Sequence, residues 1–227
     1  ASRFAKGYKM KLSLLTITND RHVAFALCER WMKNQNLESF NYEWIVVDDG
    51  TQNVECTMGQ RHEILEPKDD RKISFLTNLK YGLQCVTGDA LVMIEDDDFY
   101  PAGYVDNITK PLTEGFVYSG EQRAKYYNIS NRRYHQCLNK THASMCQTAF
   151  LTTEIEGYLE SIQNAQTVMV DIWLWKMARA KKLPHRLART STVVGMKGLP
   201  GTVGLGMGHR MGNRHSIDTD LSVLRSW

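Results

Sequence analysis

Three short, mostly apolar runs each end in a cluster of polar residues, and this repeated arrangement restricts the folds open to the chain. The runs are KLSLLTIT (Lys11 to Thr18), EWIVV (Glu43 to Val47) and ALVMI (Ala90 to Ile94), and each predicts a buried strand. Apolar side chains at helical spacing predict helices over His22 to Lys33 and Ile73 to Val86. Strands that alternate with helices favour a mostly parallel sheet joined by right-handed crossovers, and therefore an α/β fold.

The polar clusters follow directly after the three predicted strands. They span Thr16 to Arg21, Asp48 to Thr51 and Glu95 to Asp98. Ligands of open α/β sheets bind beyond the carboxyl ends of the parallel strands. The three clusters are therefore expected to converge at one edge of the sheet and to form the site.

The second half of the chain has a less regular pattern. Further strands are predicted over Arg61 to Leu65, Gly115 to Gln122, Lys125 to Tyr134 and Met145 to Thr152, and a helix over Val168 to Ala180. Six glycines between Gly195 and Gly208 predict a loop that folds over a ligand. With 227 residues and 42% apolar residues, the chain is long enough for one core, so a single domain over 1–227 is expected.

Four consecutive carboxylates, Glu95 to Asp98, follow the third buried strand. Like charges this close raise one another's pKa values, so the run needs a compensating cation. Carboxylate oxygens favour Mg²⁺ or Mn²⁺, which carboxylates often share with substrate phosphates. The alternative is a solvated acidic turn.

Asp48-Asp49-Gly50-Thr51 is also open to two interpretations, a nucleotide contact or a β-turn, because Asp-Gly is a common turn pair.

Four features occur in a fixed order along the chain: KLSLLTITND, EWIVVDDGT, the helix with Asn78, and GDALVMIEDDD followed by Pro101. Together they resemble the nucleotide-sugar-binding half of GT-A glycosyltransferases, especially family 2. The resemblance covers about residues 10–105. It implies a GT-A (Rossmann-like) fold, a mixed, mostly parallel sheet flanked by helices. Residues 10–105 would bind a nucleotide-sugar, expected to be a UDP-sugar, and residues 106–227 the acceptor.

The same resemblance implies roles for individual residues. Thr16, Thr18, Asn19 and Arg21 would lie near the nucleotide base, Asp48 would accept a hydrogen bond from that base, Asn78 would lie on the donor-binding helix, and Asp96 would contact the ribose or the sugar. Asp97 would ligate the metal, Mn²⁺ or Mg²⁺. The family's Asp-x-Asp motif can be aligned in two ways within this run, so Glu95 and Asp98 are also candidate ligands.

A second motif, VMVDIWLWKMA, resembles the helix that carries the general base in inverting members of the family. Asp171 takes that place and would remove the proton from the acceptor hydroxyl. The alternative is an acidic residue that only stabilises the first turn of a helix.

The glycine-rich segment also carries positive charge. Lys197 and Arg210 are expected to contact the diphosphate, and His209 is a candidate additional metal ligand. A loop with no ligand role is the alternative.

Basic residues dominate the second half, since residues 1–100 carry a net charge of −4 and residues 101–227 one of +7. Tyrosines interleave with some of them, which suits nucleic acid. The basic and aromatic residues are Arg123, Lys125, Tyr126, Tyr127, Arg132, Arg133, Tyr134, Lys140, Lys181, Lys182 and Arg186. The segment GMKGLPG…GHR resembles small phage-encoded enzymes that glycosylate hydroxymethylated pyrimidines in DNA, which makes DNA the first candidate acceptor. A cell-surface polysaccharide, a lipid-linked sugar or a merely solvated basic face are the alternatives.

Two other classes of function remain open. A nucleotidyltransferase would carry a glycine-rich basic loop after the first strand, where TITNDRH stands instead. A non-catalytic nucleic-acid-binding module would show only salt-dependent binding.

The sequence also predicts a cytoplasmic protein (host cytoplasm if phage-encoded) with no membrane span. The reasons are five scattered cysteines without a CxxC pair, a polar N-terminal segment (residues 1–11) and the lack of a long apolar run.

Overall fold

The structure is a computed structural model, and it describes residues 9–165, 167–213 and 215–226. Most of the polar N-terminal segment, residues 1–8, lies outside the described residues. The strands are β1 (Lys11–Thr18), β2 (Asn41–Asp48), β3 (Arg61–Ile64), β4 (Ala90–Met93), β5 (Asp98–Phe99), β6 (Tyr118–Glu121), β7 (Arg123–Asn128), β8 (Arg133–Leu138), β9 (Thr148–Leu151), β10 (His185–Ala188), β11 (Val194–Lys197) and β12 (Ser216–Ile217). The α-helices are α1 (His22–Met32), α2 (Arg71–Cys85), α3 (Tyr104–Thr113), α4 (Ile155–Ala165), α5 (Val170–Ala180) and α6 (Ser222–Ser226).

The larger sheet has seven strands in the order β10-β6-β9-β4-β1-β2-β3. β1 pairs in parallel with β2 and β4, β2 with β3, and β6 with β10. β9 alone runs antiparallel, between β4 and β6. The predicted mixed, mostly parallel sheet is therefore confirmed, and helices flank it as expected for an α/β fold.

The smaller sheet has the order β12-β8-β7-β11-β5. It begins where the chain leaves β4 of the larger sheet, because Asp98 is both the last residue of the acidic run and the first of β5. β5 pairs antiparallel with β11, and Gly195 lies opposite Asp98. The acidic run thus lies where the two sheets meet, with β11 beside it.

The core lies between the larger sheet and its helices. β4, most of β1 and the second half of β2, from Trp44 to Asp48, are buried, which explains their nearly continuous apolar sequences. α2 is capped by the Asp70 side chain, whose Oδ1 accepts hydrogen bonds from the backbone N–H groups of Lys72 and Ile73 at 2.7 and 3.0 Å. Gly82 lets this helix pack closely on the sheet, since a Cβ there would lie 2.6 Å from Leu15 Cδ1.

Several predictions about the second half need correction. The single strand predicted over Lys125 to Tyr134 is the hairpin of β7 and β8, which turns through Arg132 at φ +53°. The predicted glycine-rich loop begins with a buried strand, β11, so Lys197 belongs to a sheet. Helices α3 and α4 were not predicted; α3 contains Pro111, which indicates a helix end in a sequence.

All five cysteines are free. No helix in the described part of the chain combines the length and apolarity that crossing a bilayer requires.

Candidate functional site

The three polar clusters meet at the carboxyl edge of the larger sheet, as predicted. Thr18 at the end of β1 lies opposite Asp48 at the end of β2, and Leu15 lies opposite Met93 of β4. The Ile94 N–H donates to the Leu15 carbonyl at 2.9 Å and so holds the start of the acidic run against β1. The parallel register therefore builds one site from segments that are far apart in the chain, since the paired residues Leu15 and Met93 are separated by 78 positions.

The acidic run is paired with two cations from distant parts of the chain. Arg21, which follows β1, contacts Asp96 Oδ1 at 2.8 Å and also contacts Asp97 Oδ2. Lys197 Nζ lies 2.6 Å from Asp97 Oδ1 and 2.7 Å from Asp98 Oδ1. Each lone carboxylate would be costly to bury, and these ion pairs offset much of that cost.

His209 and Glu95 complete this cluster. His209 Nε2 lies 3.0 Å from Asp97 Oδ2, and Glu95 Oε2 lies 3.7 Å from Lys197 Nζ. The structure thus brings together Arg21, Lys197 and all four candidate metal ligands. Arg210, by contrast, is exposed and forms no ion pair with the acidic run among the described residues.

The pKa values show that the negative charge in the cluster is incompletely balanced. Burial raises the pKa of Asp96 to about 6 although Arg21 opposes the shift, and burial together with Asp98 raises the pKa of Glu95 far above its ordinary value. Burial also acts on Asp97, but Lys197 and Arg21 outweigh it and hold the pKa of Asp97 well below its usual range. If all four carboxylates were ionised, Arg21 and Lys197 would leave two negative charges without a fixed partner, and the raised pKa values of Glu95 and Asp96 reflect the cost of that state.

A divalent cation fits this imbalance. Oδ2 of Asp96 and Oδ2 of Asp98 are buried and form no hydrogen bond of normal geometry among the described residues. Possible ligand atoms of Glu95, Asp98 and Cys146 all lie within 4.8 Å of one another. Free carboxylate oxygens of this kind are the ligands that Mg²⁺ and Mn²⁺ prefer. Glu95 and Asp98 are candidate ligands from the sequence, whereas no sequence pattern marks Cys146.

A second buried carboxylate, Asp49, organises the ends of β1 and β2. Its Oδ1 accepts hydrogen bonds from Asn19 Nδ2 at 2.9 Å, Ser74 Oγ at 3.0 Å and Asn78 Nδ2 at 2.7 Å. Its Oδ2 has no hydrogen-bond partner among the described residues. The buried Thr18 hydroxyl lies beside Asp96 and lowers the pKa of that carboxyl against the effect of burial. Asn19, Asn78 and Thr18 were predicted here, whereas the family resemblance implied a base contact by Asp48.

Asp48 and Thr16 already have partners within the protein. The Asp48 carboxylate accepts hydrogen bonds from the Gly50 N–H at 2.8 Å and the Val54 N–H at 2.7 Å, which shapes the loop after β2. Thr16 is fully buried, and its Oγ1 accepts a hydrogen bond from Trp44 Nε1 at 3.0 Å. Both side chains are therefore engaged in hydrogen bonds within the protein.

The glycine-rich segment crosses over this edge of the sheet. The Thr202 N–H donates to the Asp20 carbonyl at 3.3 Å, and Arg71 at the start of α2 donates to the Val203 carbonyl at 2.6 Å. Gly201 has φ +116°, and a Cβ there would lie 2.5 Å from the Asp20 carbonyl oxygen, so only glycine allows this approach. The segment is thus held against both β1 and α2.

Asp171 lies in the first turn of α5. Burial raises its pKa, and its charge contributes to the raised pKa of Glu95, so the two carboxylates interact electrostatically. His142 interacts electrostatically with Asp171, although burial lowers the pKa of the histidine. His142 carried no signal in the sequence because it stands alone in a loop.

The basic face differs from the expected pattern of interleaved aromatic residues. Tyr127 is buried, and its hydroxyl donates to Asp218 at 3.0 Å. The Tyr126 hydroxyl lies 3.2 Å from Ser144 Oγ. These two tyrosines are therefore part of the protein's packing. The exposed basic residues of the predicted set are Arg123, Arg132, Lys140, Lys181, Lys182 and Arg186.

Comparisons with known proteins agree with this architecture. No protein-family model matches the chain. Over 128 residues the chain is 25% identical to an uncharacterized glycosyltransferase of Bacillus subtilis (strain 168), YwdF; the match covers 55% of this chain and 47% of the relative. The chain therefore spans about half the length of this relative.

Among solved structures, the mannosyltransferase PcManGT from Pyrobaculum calidifontis, in complex with GDP-Man and Mn²⁺, matches 88% of this chain and 61% of its own, with a TM-score of 0.52 and 14% identity. Staphylococcus aureus TarS matches 82% of this chain and 37% of its own, with a TM-score of 0.53 and 11% identity. TarS residues 1–349 match 82% of this chain and 60% of their own, with a TM-score of 0.54 and 10% identity. The chain accordingly has the GT-A glycosyltransferase fold.

Proposed function

We propose that the chain is a metal-dependent, inverting glycosyltransferase that moves a sugar from a nucleotide-sugar to an acceptor hydroxyl. One observation carries the proposal: a buried acidic cluster, in which Asp96 and Asp98 each keep one oxygen outside the ion pairs, lies at the carboxyl edge of a GT-A sheet and interacts electrostatically with a carboxylate of raised pKa, Asp171. PcManGT, which shares the fold, is described in complex with GDP-Man and Mn²⁺.

The donor would lie along the ends of β1, β2 and β4. Asp49 Oδ2 is the free acceptor at the ends of β1 and β2, and the imino N–H of uracil or guanine is a matching donor. Arg21 and Lys197 supply positive charge for the diphosphate. A divalent cation held by Glu95, Asp97 and Asp98 would neutralise the diphosphate as a Lewis acid.

The transfer itself would use Asp171 as general base. Its carboxylate takes the proton of the acceptor hydroxyl while that oxygen attacks the anomeric carbon and the bond from that carbon to the diphosphate breaks. Attack opposite the leaving group inverts the anomeric configuration. Its raised pKa brings this carboxylate closer to the working pH, where a general base is most effective.

An anionic acceptor suits the exposed basic residues, and DNA with a hydroxymethylated pyrimidine is the candidate that the sequence resemblance favours. Phosphate contacts by Arg132 and Lys140 would hold such a polymer, and the target base would have to leave the duplex to reach Asp171. A neutral polysaccharide would gain no electrostatic attraction from these basic residues.

The proposal is tested by incubating the protein with Mn²⁺, UDP- and GDP-sugars, and either plain DNA, hydroxymethylpyrimidine DNA or oligosaccharides. Mass spectrometry of the products should show a hexose or pentose added to one acceptor and a stoichiometric nucleoside diphosphate. Pyrophosphate release from a nucleoside triphosphate would instead indicate a nucleotidyltransferase. Steeply salt-dependent DNA binding without turnover would indicate a binding module.

Asp49→Asn is expected to weaken binding of the nucleoside diphosphate by roughly 10- to 100-fold, as expected for loss of a hydrogen bond to a charged group. Asparagine can keep Oδ1 as acceptor for Asn19, Ser74 and Asn78, but it would place an N–H₂ donor against the donor N–H of the base. Isothermal titration calorimetry measures the change. Ser74→Ala removes one internal hydrogen bond and leaves Oδ2 in place, so equal losses in both variants would argue against a base contact.

The pH dependence of kcat/KM is expected to show an acid limb whose midpoint lies above the ordinary aspartate value of about 3.9. Burial raises the pKa of Asp171, and only the ionised form can accept a proton, so activity falls as the pH drops through that raised pKa. Initial rates at saturating Mn²⁺ from pH 4 to 8 measure the limb. It should disappear from the residual activity of Asp171→Asn; a limb unchanged in that variant would assign it to another group.

A further inference from the structure

Lys197 lies at the centre of the acidic cluster, in a position that resembles that of a bound cation. Its Nζ is 2.6 Å from Asp97 Oδ1, 2.7 Å from Asp98 Oδ1 and 3.7 Å from Glu95 Oε2. Its side chain is 4% exposed. Three carboxylates from one turn therefore surround a single ammonium group.

The surrounding backbone leaves a channel for the lysine side chain. A Cβ on Gly195 would lie 3.0 Å from Lys197 Cε, and a Cβ on Gly208 would lie 2.8 Å from Lys197 Cγ. Two glycines of the glycine-rich segment thus leave the space that the lysine stem fills. Burying an ammonium is costly unless it is fully paired, so both the space and the three partners favour this position for Lys197.

The ammonium and a divalent cation would compete for the same oxygens. A Mn²⁺ or Mg²⁺ ion binds carboxylate oxygens at about 2.0–2.2 Å, whereas Nζ is within hydrogen-bond distance of two of them. Two cations that share these oxygens would lie only about 3–4 Å apart, where their repulsion in a buried site is strong.

We propose that the Lys197 ammonium holds the place of the divalent cation when no donor is bound, and that loading of the cation displaces it towards the diphosphate. The inference rests on the metal dependence proposed above and deepens it. Lysine suits this exchange because its compact charge sits on a flexible four-carbon stem. The protein would then carry its own temporary counter-ion, which keeps the acidic cluster folded before the donor arrives.

Two consequences follow for metal binding. Only molecules in which Lys197 has left the cluster can bind the metal, so the apparent metal affinity is the intrinsic affinity multiplied by the fraction of such molecules. A nucleoside diphosphate should raise metal affinity, because it offers the displaced ammonium new phosphate partners, and by linkage the metal should raise nucleotide affinity equally.

The first test measures Mn²⁺ binding to the complete protein without donor or acceptor, by electron paramagnetic resonance of free Mn²⁺. Lys197→Met and Lys197→Gln are expected to bind Mn²⁺ roughly tenfold more tightly than the wild type, as for a competitor that fills nine-tenths of the sites. The exposed Lys110→Met removes the same charge outside the site and should leave binding unchanged. Equal or weaker binding in both Lys197 variants would overturn the proposal.

Folding of each variant is checked by circular dichroism and thermal unfolding. If the methionine variant fails to fold without metal, the glutamine variant decides, because its amide can still donate hydrogen bonds to Asp97 and Asp98. The same titrations with a nucleoside diphosphate present should tighten Mn²⁺ binding more in the wild type than in either variant. Equal tightening would contradict the movement of Lys197 to the diphosphate.

These measurements require no turnover, so they separate this inference from the proposed activity. Tighter Mn²⁺ binding in the Lys197 variants together with no sugar transfer to any acceptor would contradict the transferase assignment and leave the cation exchange standing. Sugar transfer without any measurable Mn²⁺ binding would overturn the exchange and the metal dependence, and would leave the transferase assignment standing.

Discussion

Replacing Asp171 with asparagine is expected to lower kcat/KM for sugar transfer by about 10²–10⁴-fold, the usual contribution of a positioned general base. The amide keeps the size of the side chain but cannot accept the proton of the acceptor hydroxyl. Nucleoside diphosphate binding should change little, because Asp171 lies on α5 and not at the end of β1 or β2, and Mn²⁺ binding should fall only slightly, because Asp171 interacts with Glu95 through its charge alone. Initial rates, calorimetry with the nucleoside diphosphate and Mn²⁺ titration measure the three quantities.

A matched control exists on the neighbouring helix. Glu156 is an exposed acidic residue in the first turn of α4, which is as long as α5, so Glu156→Gln removes a comparable interaction with a helix dipole. Both variants should lose at most about 1 kcal/mol of stability from this source. If Glu156→Gln lost as much activity as Asp171→Asn, or if Asp171→Asn kept normal turnover, Asp171 would not be the base.

The carboxyl edge of the larger sheet was predictable because it is determined by local sequence patterns. Each strand that contributes to it is a continuous apolar run, and parallel pairing requires that the residues after β1, β2 and β4 meet. That geometry alone brings Arg21, Asp48 and the acidic run to one edge, whatever the details of the loops.

The partners within the site could not be predicted, since they depend on long-range contacts. Lys197 lies 99 and 100 residues from the carboxylates that it pairs with, and no pattern in the sequence joins them. Which of Asp48 and Asp49 keeps a free carboxylate oxygen depends on the loop after β2, because the N–H groups of Gly50 and Val54 donate to Asp48 and not to Asp49. Adjacent carboxylates look alike in a sequence until such a loop is built.

The hairpin of β7 and β8 was also missed for a physical reason. Its turn passes through Arg132 at φ +53°, a conformation usually marked by glycine or asparagine, so the strand pattern seemed continuous there. The burial of Tyr127 follows from the same hairpin, because β7 lies inside the smaller sheet between β8 and β11. A sequence pattern of alternating basic and aromatic residues therefore arose from strand pairing as much as from a binding surface.

Asp97→Asn is expected to reduce sugar transfer by about 10³-fold, because cation-mediated charge stabilisation contributes several kcal/mol and each 1.36 kcal/mol is a factor of ten. Asp97 is the one carboxylate of the run whose pKa is held well below its usual range, by Lys197 and Arg21 against the effect of burial, so it carries a full negative charge in the cluster. Its loss should weaken Mn²⁺ binding, and part of the activity should return at high Mn²⁺ concentration. Transfer rates across a Mn²⁺ series measure both effects.

The exposed Asp69→Asn serves as the control, since it removes the same charge on the approach to α2. Asp97→Asn also leaves Arg21 and Lys197 with one partner fewer, so a lower unfolding temperature is expected and only folded protein should be compared. The contrast with Asp171→Asn is the stronger argument. Part of the activity lost in Asp97→Asn should return at high Mn²⁺ concentration. The activity lost in Asp171→Asn should not return with Mn²⁺, and the acid limb of the pH profile should be missing from that variant, because Asp97 acts through the leaving diphosphate and Asp171 through the acceptor proton. Identical responses in the two variants would mean that the two carboxylates do not divide the reaction in this way.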